Sequence, residues 1–575
     1  MRTRRYFLRN TSRAVAASAI GFPLIFRTRK THARQASPLD PAALSLEEKV
    51  GQLVVARLPD WPLMEQYARQ GIITGLTPPL RNRPLAEVAQ FLNHFQEISK
   101  YPLLIGWAGL YSGATEVRLN QLMRLGATRS KELCYQAARI EAEESRALGV
   151  HLGATPVLDV NTNPENPIIN LRSLGDNVEL VTELGSELAR GTNEGQAASL
   201  LMHFPGHGAT GGDSHIAIPT VDRSLQELEE VDMRPFAEVI RRGLARLVCT
   251  NHCYYPAFEP SQQVPATVSR KIVNGLLREQ LGFDGVIISD SLTMRAMKDN
   301  YGIEEGAIET VAAGHDMILQ DYQSDPRITI DALVHAVREG RIPLAQVEAS
   351  VRRVWKLKQW LGLEEGRLVD VSKIPERVAT EEHKAVARRI ARESVTVLEN
   401  RGLPVPAGGN ARLLVISNGS STTVEEDLDW KHSPANHHLN QQVRKRTADA
   451  QTITLSVEFK PEEIDRIRAA LKEADLVVFG LFTRVRSYRE DAIRLDARYR
   501  DLISQAAAEG RTLVLCNFGN PWVLCDLPKP AVSLCTFSDA VDSIEAAVQV
   551  LFGELKSRGK LPVRLSADYP FGFGL

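Results

Sequence analysis

Gly285-Val286-Ile287-Ile288-Ser289-Asp290 is a short apolar run that ends on a carboxylate. A run of this length, bounded by a glycine, fits a strand buried on both faces, as in parallel sheets. A carboxylate at the mouth of such a strand is too costly to leave without a partner. Asp290 suits the N-cap of the helix that would follow Ser291-Leu292-Thr293-Met294. The same position equally suits a nucleophilic carboxylate.

Outward from this run, seven others resemble it: Gln52–Ala56, Gly71–Leu76, Pro102–Gly106, Ala154–Val160, Ser199–Phe204, Leu247–Asn251 and Met317–Leu319. Amphipathic stretches such as Leu85–Ile98, Lys131–Leu148 and Val178–Glu194 lie between several of them. Strand–helix alternation argues for parallel α/β architecture, and about eight units over some 300 residues fit a TIM-like (β/α)8 barrel. We place that barrel at residues 42–370, with a linker at 371–384 after a charged helical stretch around Val347–Leu363. Residues 385–575 carry their own apolar runs, at Leu413–Ser417, Thr452–Val457, Leu476–Phe482, Thr512–Phe518 and Ala531–Phe537. Helical segments, notably Pro461–Ala474 and Arg500–Ala508, separate some of them. This second part reads as a smaller three-layer α/β sandwich domain. A chain of 575 residues is too long for one core, which agrees with two domains.

Barrel active sites form at the C-terminal strand ends. Asp159, His203, His252 and Asp290 all fall at such ends, and their coincidence says more than any one of them. His203 also opens an unusual loop, Met202-His203-Phe204-Pro205-Gly206-His207-Gly208, continued by Gly212-Asp213-Ser214-His215. Its glycines and proline forbid regular helix, so the polar groups converge on something other than a core. His203 and His207 have the i, i+4 spacing of helical zinc motifs, but the backbone here is not helical and no Glu follows His203. A metal site assembled from His203, His207, Asp213 and His215 stays open as an alternative, that of a metallohydrolase. Asp213 beside His215 suggests a carboxylate that holds an imidazole's tautomer, giving a general acid/base near neutral pH.

Composition narrows the field. The net charge is −1 with no long basic stripe, so binding to nucleic acid has no electrostatic support. No apolar run reaches the roughly 18–20 residues of a membrane span. Residues 1–36 differ from the rest: Thr3-Arg4-Arg5-Tyr6-Phe7-Leu8-Arg9 precedes an apolar stretch from Ala14 to Phe26, and no acidic residue appears before Asp40. That is the pattern of an export signal of the twin-arginine type, and the expected location is periplasmic or extracellular. The six cysteines match neither a disulfide scaffold nor a zinc ribbon, and buried free thiols are expected for Cys249, Cys516 and Cys535.

Several motifs, in order, resemble glycoside hydrolase family 3 in its β-N-acetylhexosaminidase branch. They are Leu44-Ser45-Leu46-Glu47-Glu48-Lys49-Val50-Gly51-Gln52-Leu53, Ala154-Thr155-Pro156-Val157-Leu158-Asp159-Val160-Asn161 and Leu171-Arg172-Ser173. There follow His203–Gly208 with Asp213-Ser214-His215, Leu281-Gly282-Phe283-Asp284 running into Gly285–Asp290, and Gly559-Lys560-Leu561-Pro562-Val563 with Tyr569–Leu575. The resemblance implies a retaining exo-hydrolase that removes terminal β-linked N-acetylglucosamine from oligosaccharides or peptidoglycan fragments, with no metal or organic cofactor. It makes Asp290 the nucleophile that forms a covalent glycosyl intermediate, and His215 with Asp213 the general acid/base. Arg172 and His203 would hold the sugar, with His207 beside them.

Two positions depart from the family pattern. Met202 stands where the family carries a lysine that donates to sugar hydroxyls. After Pro102–Gly106 the family carries an Asp followed by Glu-Gly-Gly, but this chain reads Trp107-Ala108-Gly109-Leu110-Tyr111-Ser112-Gly113. Each lost charged hydrogen bond would cost about 1.5–3 kcal/mol, and the two together about two to four decades in kcat/KM. The pocket is then either reshaped for another terminal sugar, with Trp107 or Tyr111 stacking on it, or that of a weakened relative that binds glycans. Retention of Asp290, Asp213 and His215 together favours the enzyme.

Overall fold

The computed structural model describes residues 41–575, apart from 79, 81, 82, 107–120, 154, 407–410, 420–434 and 457. The expected export signal and Trp107, with Tyr111 and Ala108, lie outside the described residues. Within residues 39–575, which form one compact unit, two sheets carry the architecture.

The first sheet is parallel. Its strands are β1 (Val54–Ala56), β2 (Gly75–Leu76), β3 (Leu104–Ile105), β4 (Leu200–Phe204), β5 (Leu247–Thr250), β6 (Val286–Ser291) and β7 (Met317–Leu319), in the order β3-β2-β1-β7-β6-β5-β4. The gap between its two edge strands is spanned by irregular chain at residues 151–153 and 155–158. The His151 amide donates to the Ile105 carbonyl on one side, and Leu152 and Val157 bridge Ala198 and Met202 on the other. The eight apolar runs of the sequence thus become eight staves of a TIM-like barrel. The Val286–Ile288 run is buried throughout, as expected of a strand with a parallel neighbour on each side and covered on both faces.

The helices follow the amphipathic stretches. Val178–Glu194 buries Val181, Leu184 and Leu188 on one stripe, and its first turn is capped by Asn177, whose side chain accepts from the Leu180 amide at 2.9 Å. Ser130 caps Lys131–Ala147 in the same way.

The second sheet is mixed: β8 (Thr396–Asn400), β9 (Leu413–Ser417), β10 (Gln451–Thr454), β11 (Leu476–Leu481), β12 (Thr512–Asn517) and β13 (Val532–Cys535), in the order β10-β9-β11-β12-β13-β8. Its five parallel strands coincide with the five apolar runs. β8 is an addition, antiparallel to β13. Its Thr396-Val397-Leu398-Glu399-Asn400 turns polar and becomes exposed at the end, so it lacks the continuous apolar signature of its neighbours. The stretch expected as a linker is also structured: a short helix at Ile374–Arg377 precedes Glu381–Ser394, whose His383 Nδ1 lies 2.7 Å from Oε1 of buried Glu144.

The barrel and the second sheet's domain share an apolar cluster that includes Met123, Ala127, Leu171, Trp522, Phe537, Leu561 and Val563. Main-chain bonds seal the same seam, from Lys560 to Ala127 and from Asp176 to Pro562. All six cysteines are free, and only Cys525 is exposed. No helix among the described residues is long and apolar enough to cross a membrane.

Candidate active site

Two sheet pairings slip where the chemistry-bearing side chains lie. The β4–β5 register shifts between Leu201 and Phe204, around Met202 and His203. The β6–β7 register shifts between Ile288 and Ser291, around Ser289 and Asp290. Such irregularities re-aim a side chain at the rim of a barrel.

Asp290 is half-buried at the end of β6, and its Oδ1 accepts from the Ser291 amide at 2.7 Å. Burial pushes its pKa up, but His203, His252, His215 and the Ser291 amide outweigh that and hold it at about 2. The carboxylate is therefore an anion under all ordinary conditions. Nε2 of buried His252 donates to the Ser291 carbonyl at 3.1 Å, and Arg57 Nη1 donates to Ser291 Oγ at 2.7 Å. Arg57 is not among the sequence candidates. It directly succeeds the first apolar run, so the residue just past each strand is the signal that would have found it.

His203 sits between two fixed partners. Its Nδ1 lies 2.7 Å from Asp159 Oδ2, and Arg172 Nη2 donates to its Nε2 at 3.0 Å. Asp159, fully buried, also accepts from the His207 amide at 2.7 Å and from the His203 amide, so it anchors both ends of the loop. Glycine is required here. A Cβ on Gly208 would fall 1.9 Å from the Val160 carbonyl oxygen, and Gly206 has φ +136° against Asp232. Met202 is buried in the apolar cluster of Val157, Leu200, Cys249 and Ile288 and presents no charge to the site.

His207 has a different place from the sugar-contacting one expected. It is buried, with Nδ1 2.8 Å from Thr210 Oγ1 and Nε2 3.1 Å from Ser214 Oγ, so both ring nitrogens are occupied within the loop. Burial, with the nearby His203 and Arg172, lowers its pKa to about 4 despite Asp159. It braces the loop. The metal reading of the four residues fails with it: among the described residues no group of three or more His, Cys, Asp or Glu is arranged to hold a metal ion.

Asp213 and His215 form the expected dyad. Asp213 Oδ1 lies 2.7 Å from His215 Nδ1 and accepts from the His215 amide at 2.8 Å. Burial raises the Asp213 pKa, but His215 and the amides of His215 and Tyr488 bring it below the ordinary value. Tyr488 comes from the second sheet's domain, in the loop after β11. Its amide donates to Asp213 Oδ2 at 2.8 Å, and its ring meets that of His215 edge-on at 5.2 Å. Glu490, from the same loop, accepts from the Asp213 amide at 3.0 Å. Neither residue carries a sequence signal, because their partner lies about 275 positions away.

The site therefore holds a permanently ionised carboxylate at a strand end, an imidazole backed by a carboxylate, and an arginine–histidine pair, at the mouth of a TIM-like barrel. Ionisable groups brought together at the C-terminal strand ends of such a barrel mark the candidate active site. Residues 45–357 match the family model of the glycosyl hydrolase family 3 N-terminal domain, and the chain belongs to glycoside hydrolase family 3. Similar curated proteins include the β-hexosaminidase A of Pseudoalteromonas piscicida, 26% identical over 77% of this chain and 79% of that protein. The β-N-acetylglucosaminidase/β-glucosidase of Cellulomonas fimi is 27% identical over 91% of this chain and 94% of its own. Among solved structures, a family 3 β-N-acetylglucosaminidase from Paenibacillus sp. str. FPU-7 superposes with a TM-score of 0.81 at 32% identity, over 91% of this chain and 99% of that one. The chain is a glycosidase of β-linked sugars.

Proposed function

We propose that this glycosidase is retaining and exo-acting, and that it removes terminal β-linked N-acetylglucosamine from oligosaccharides or peptidoglycan fragments. The observation that carries the reading is the ionised Asp290, with a pKa of about 2, set among His203, His252 and His215. Asp290 attacks the anomeric carbon while His215, oriented by Asp213, protonates the departing oxygen. The same imidazole then takes a proton from the water that hydrolyses the glycosyl–Asp290 ester. Arg172 holds the sugar's hydroxyls, and His203, with Asp159 and Arg172 on its two ring nitrogens, fixes the guanidinium beside them. The names of the relatives from Cellulomonas fimi and Paenibacillus support N-acetylglucosamine as the sugar.

The pocket differs from the family pattern in one described respect. Buried Met202 contributes no donor, so N-acetylglucosaminides turn over slowly. A glycan-binding role without turnover would leave the Asp213–His215 dyad without a task. Residues 1–36 act as an export signal, which places the mature protein outside the cytoplasm, where such glycans occur.

A fluorinated slow substrate should leave a glycosyl adduct on the peptide that contains Asp290, read by mass spectrometry. Asp290→Ala should fold and turn nothing over. An adduct elsewhere, or an active variant, refutes the mechanism. A panel of aryl β-glycosides (N-acetylglucosaminide, N-acetylgalactosaminide, glucoside, xyloside) identifies the terminal sugar.

A further inference from the structure

The helix Glu381–Ser394 buries Ala387, Ile390 and Ala391 and leaves Arg388, Arg389 and Arg392 exposed. Against it packs the helix Val541–Leu551, which buries Ile544, Ala547 and Val548. Between these helices and the segment that follows the second lies a cavity of about 670 Å³. Five cations line it: the three arginines of the first helix, and Lys556 and Arg558 of the segment. Ala546 and Leu555 add apolar surface.

Two acids of the cavity already have partners. Glu393 accepts from Arg389 Nε at 2.8 Å, and Glu554 takes both prongs of Arg446, at 2.6 and 2.7 Å. The cations are less provided for. Arg388 stands 3.8 Å from Glu381. Arg392, Lys556 and Arg558 have no side-chain partner among the described residues. Like charges gathered around one concavity repel, and Arg388 with Arg392 is an i, i+4 pair that weakens its own helix. The fold gains nothing from the arrangement, but a concavity with a surplus of one sign concentrates ligands of the other. Guanidinium groups in particular match carboxylates through two parallel bonds.

The facing helix narrows the choice of anion. Glu545 lines the same cavity, and its Oε1 accepts from Gln549 Nε2 at 3.4 Å, a long contact that leaves room for an ammonium donor. A bare inorganic anion would leave most of the volume empty and would face that carboxylate. A ligand with several carboxylates, one amine and a little apolar surface meets every wall, and the volume is that of a small-molecule site.

We infer that the cavity between Glu381–Ser394 and Val541–Leu551 binds a short peptide with more carboxylates than amines. Peptidoglycan fragments are glycans that carry such peptides, so the source of the peptide rests on the substrate reading given above. The site itself stands on its charges and volume.

The test is equilibrium dialysis of the full-length chain against isotopically labelled N-acetyl-L-alanyl-γ-D-glutamyl-L-lysine, which has two carboxylates and one ammonium. One site should saturate. Reversing two exposed cations together, Arg392→Glu with Arg558→Glu, should weaken Kd roughly tenfold and leave Tm at the parent's value. Arg392→Lys, which keeps the charge, should retain most of the affinity. No saturation by the unaltered chain, or an affinity indifferent to the double reversal, overturns the site. Inorganic pyrophosphate binding as tightly as the peptide overturns the peptide as its ligand. No glycoside is present, so each of these failures leaves the glycosidase reading standing.

Discussion

The Tyr488 amide donates 2.8 Å to one oxygen of Asp213, while the other oxygen accepts from the ring and amide of His215. The carboxylate that orients the His215 ring in the barrel is thus itself held by the second domain. Tyr488 reaches it in a left-handed conformation, φ +66°. Asp213→Asn keeps the volume but turns an N–H toward groups that need an acceptor. It should lower kcat roughly a hundredfold on substrates whose leaving groups need protonation. On a 2,4-dinitrophenyl glycoside, which departs unaided, the loss in the glycosylation step should be much smaller. Equal losses on both would mean that the dyad does not shuttle the proton.

Asp290 sets a separate expectation for acid. Its pKa lies near 2 in the folded chain, against about 3.9 for an unperturbed aspartate. Folding therefore favours the ionised form. Its contribution, on the order of 2 kcal/mol, is present above pH 4 and is lost as pH falls toward 2. In activity terms the Asp290 carboxylate should not titrate in the working range. Inactivation by a fluorinated glycoside with a good leaving group should be level from pH 7 down to about 4. A break near pH 5 that disappears in Asp213→Asn belongs to the dyad; one that persists there contradicts the low pKa of Asp290.

How legible this was depends on where each contact lies in the chain. The eight staves were readable because a strand between parallel neighbours must be apolar on both faces, and Val286–Ile288 shows it. Asp213 and His215 were readable because the carboxylate and the imidazole it orients stand two residues apart. Arg57 and Tyr488 were not, since each is an ordinary residue until the fold brings the ends of β1 and β11 to the site. His207 shows the opposite error: its neighbours in sequence suggested a ligand contact, but Thr210 and Ser214 occupy both ring nitrogens.

Met202 offers a gain-of-function test. The residue is 5% exposed and packs among Val157, Leu200 and Cys249. Met202→Lys restores the donor that the family pattern carries there, with a side chain of similar length. It should raise kcat/KM on 4-nitrophenyl N-acetyl-β-glucosaminide roughly tenfold, the equivalent of one modest charged hydrogen bond. The buried ammonium should lower Tm in the absence of sugar. A drop in both activity and Tm would show that the pocket no longer accommodates a cation.

The barrel also buries four histidines, His151, His207, His252 and His315, each at most 2% exposed. Burial lowers the pKa of every one, that of His207 to about 4 and of His315 to about 3. Unfolded, each would bind a proton near pH 6.5. Below pH 6.5 the unfolded chain takes up protons that the folded chain refuses, so stability falls steadily between pH 6.5 and 4. This loss begins well above the range in which Asp290 loses its charge. Urea midpoints measured at half-unit steps of pH should decline through that window. His207→Gln, which keeps a donor and an acceptor for Thr210 and Ser214, should make the decline shallower by close to one proton's slope. A variant with the parent's full slope would mean that His207 is protonated in the folded loop, and the brace between Thr210 and Ser214 would have to be redrawn with an imidazolium at its centre.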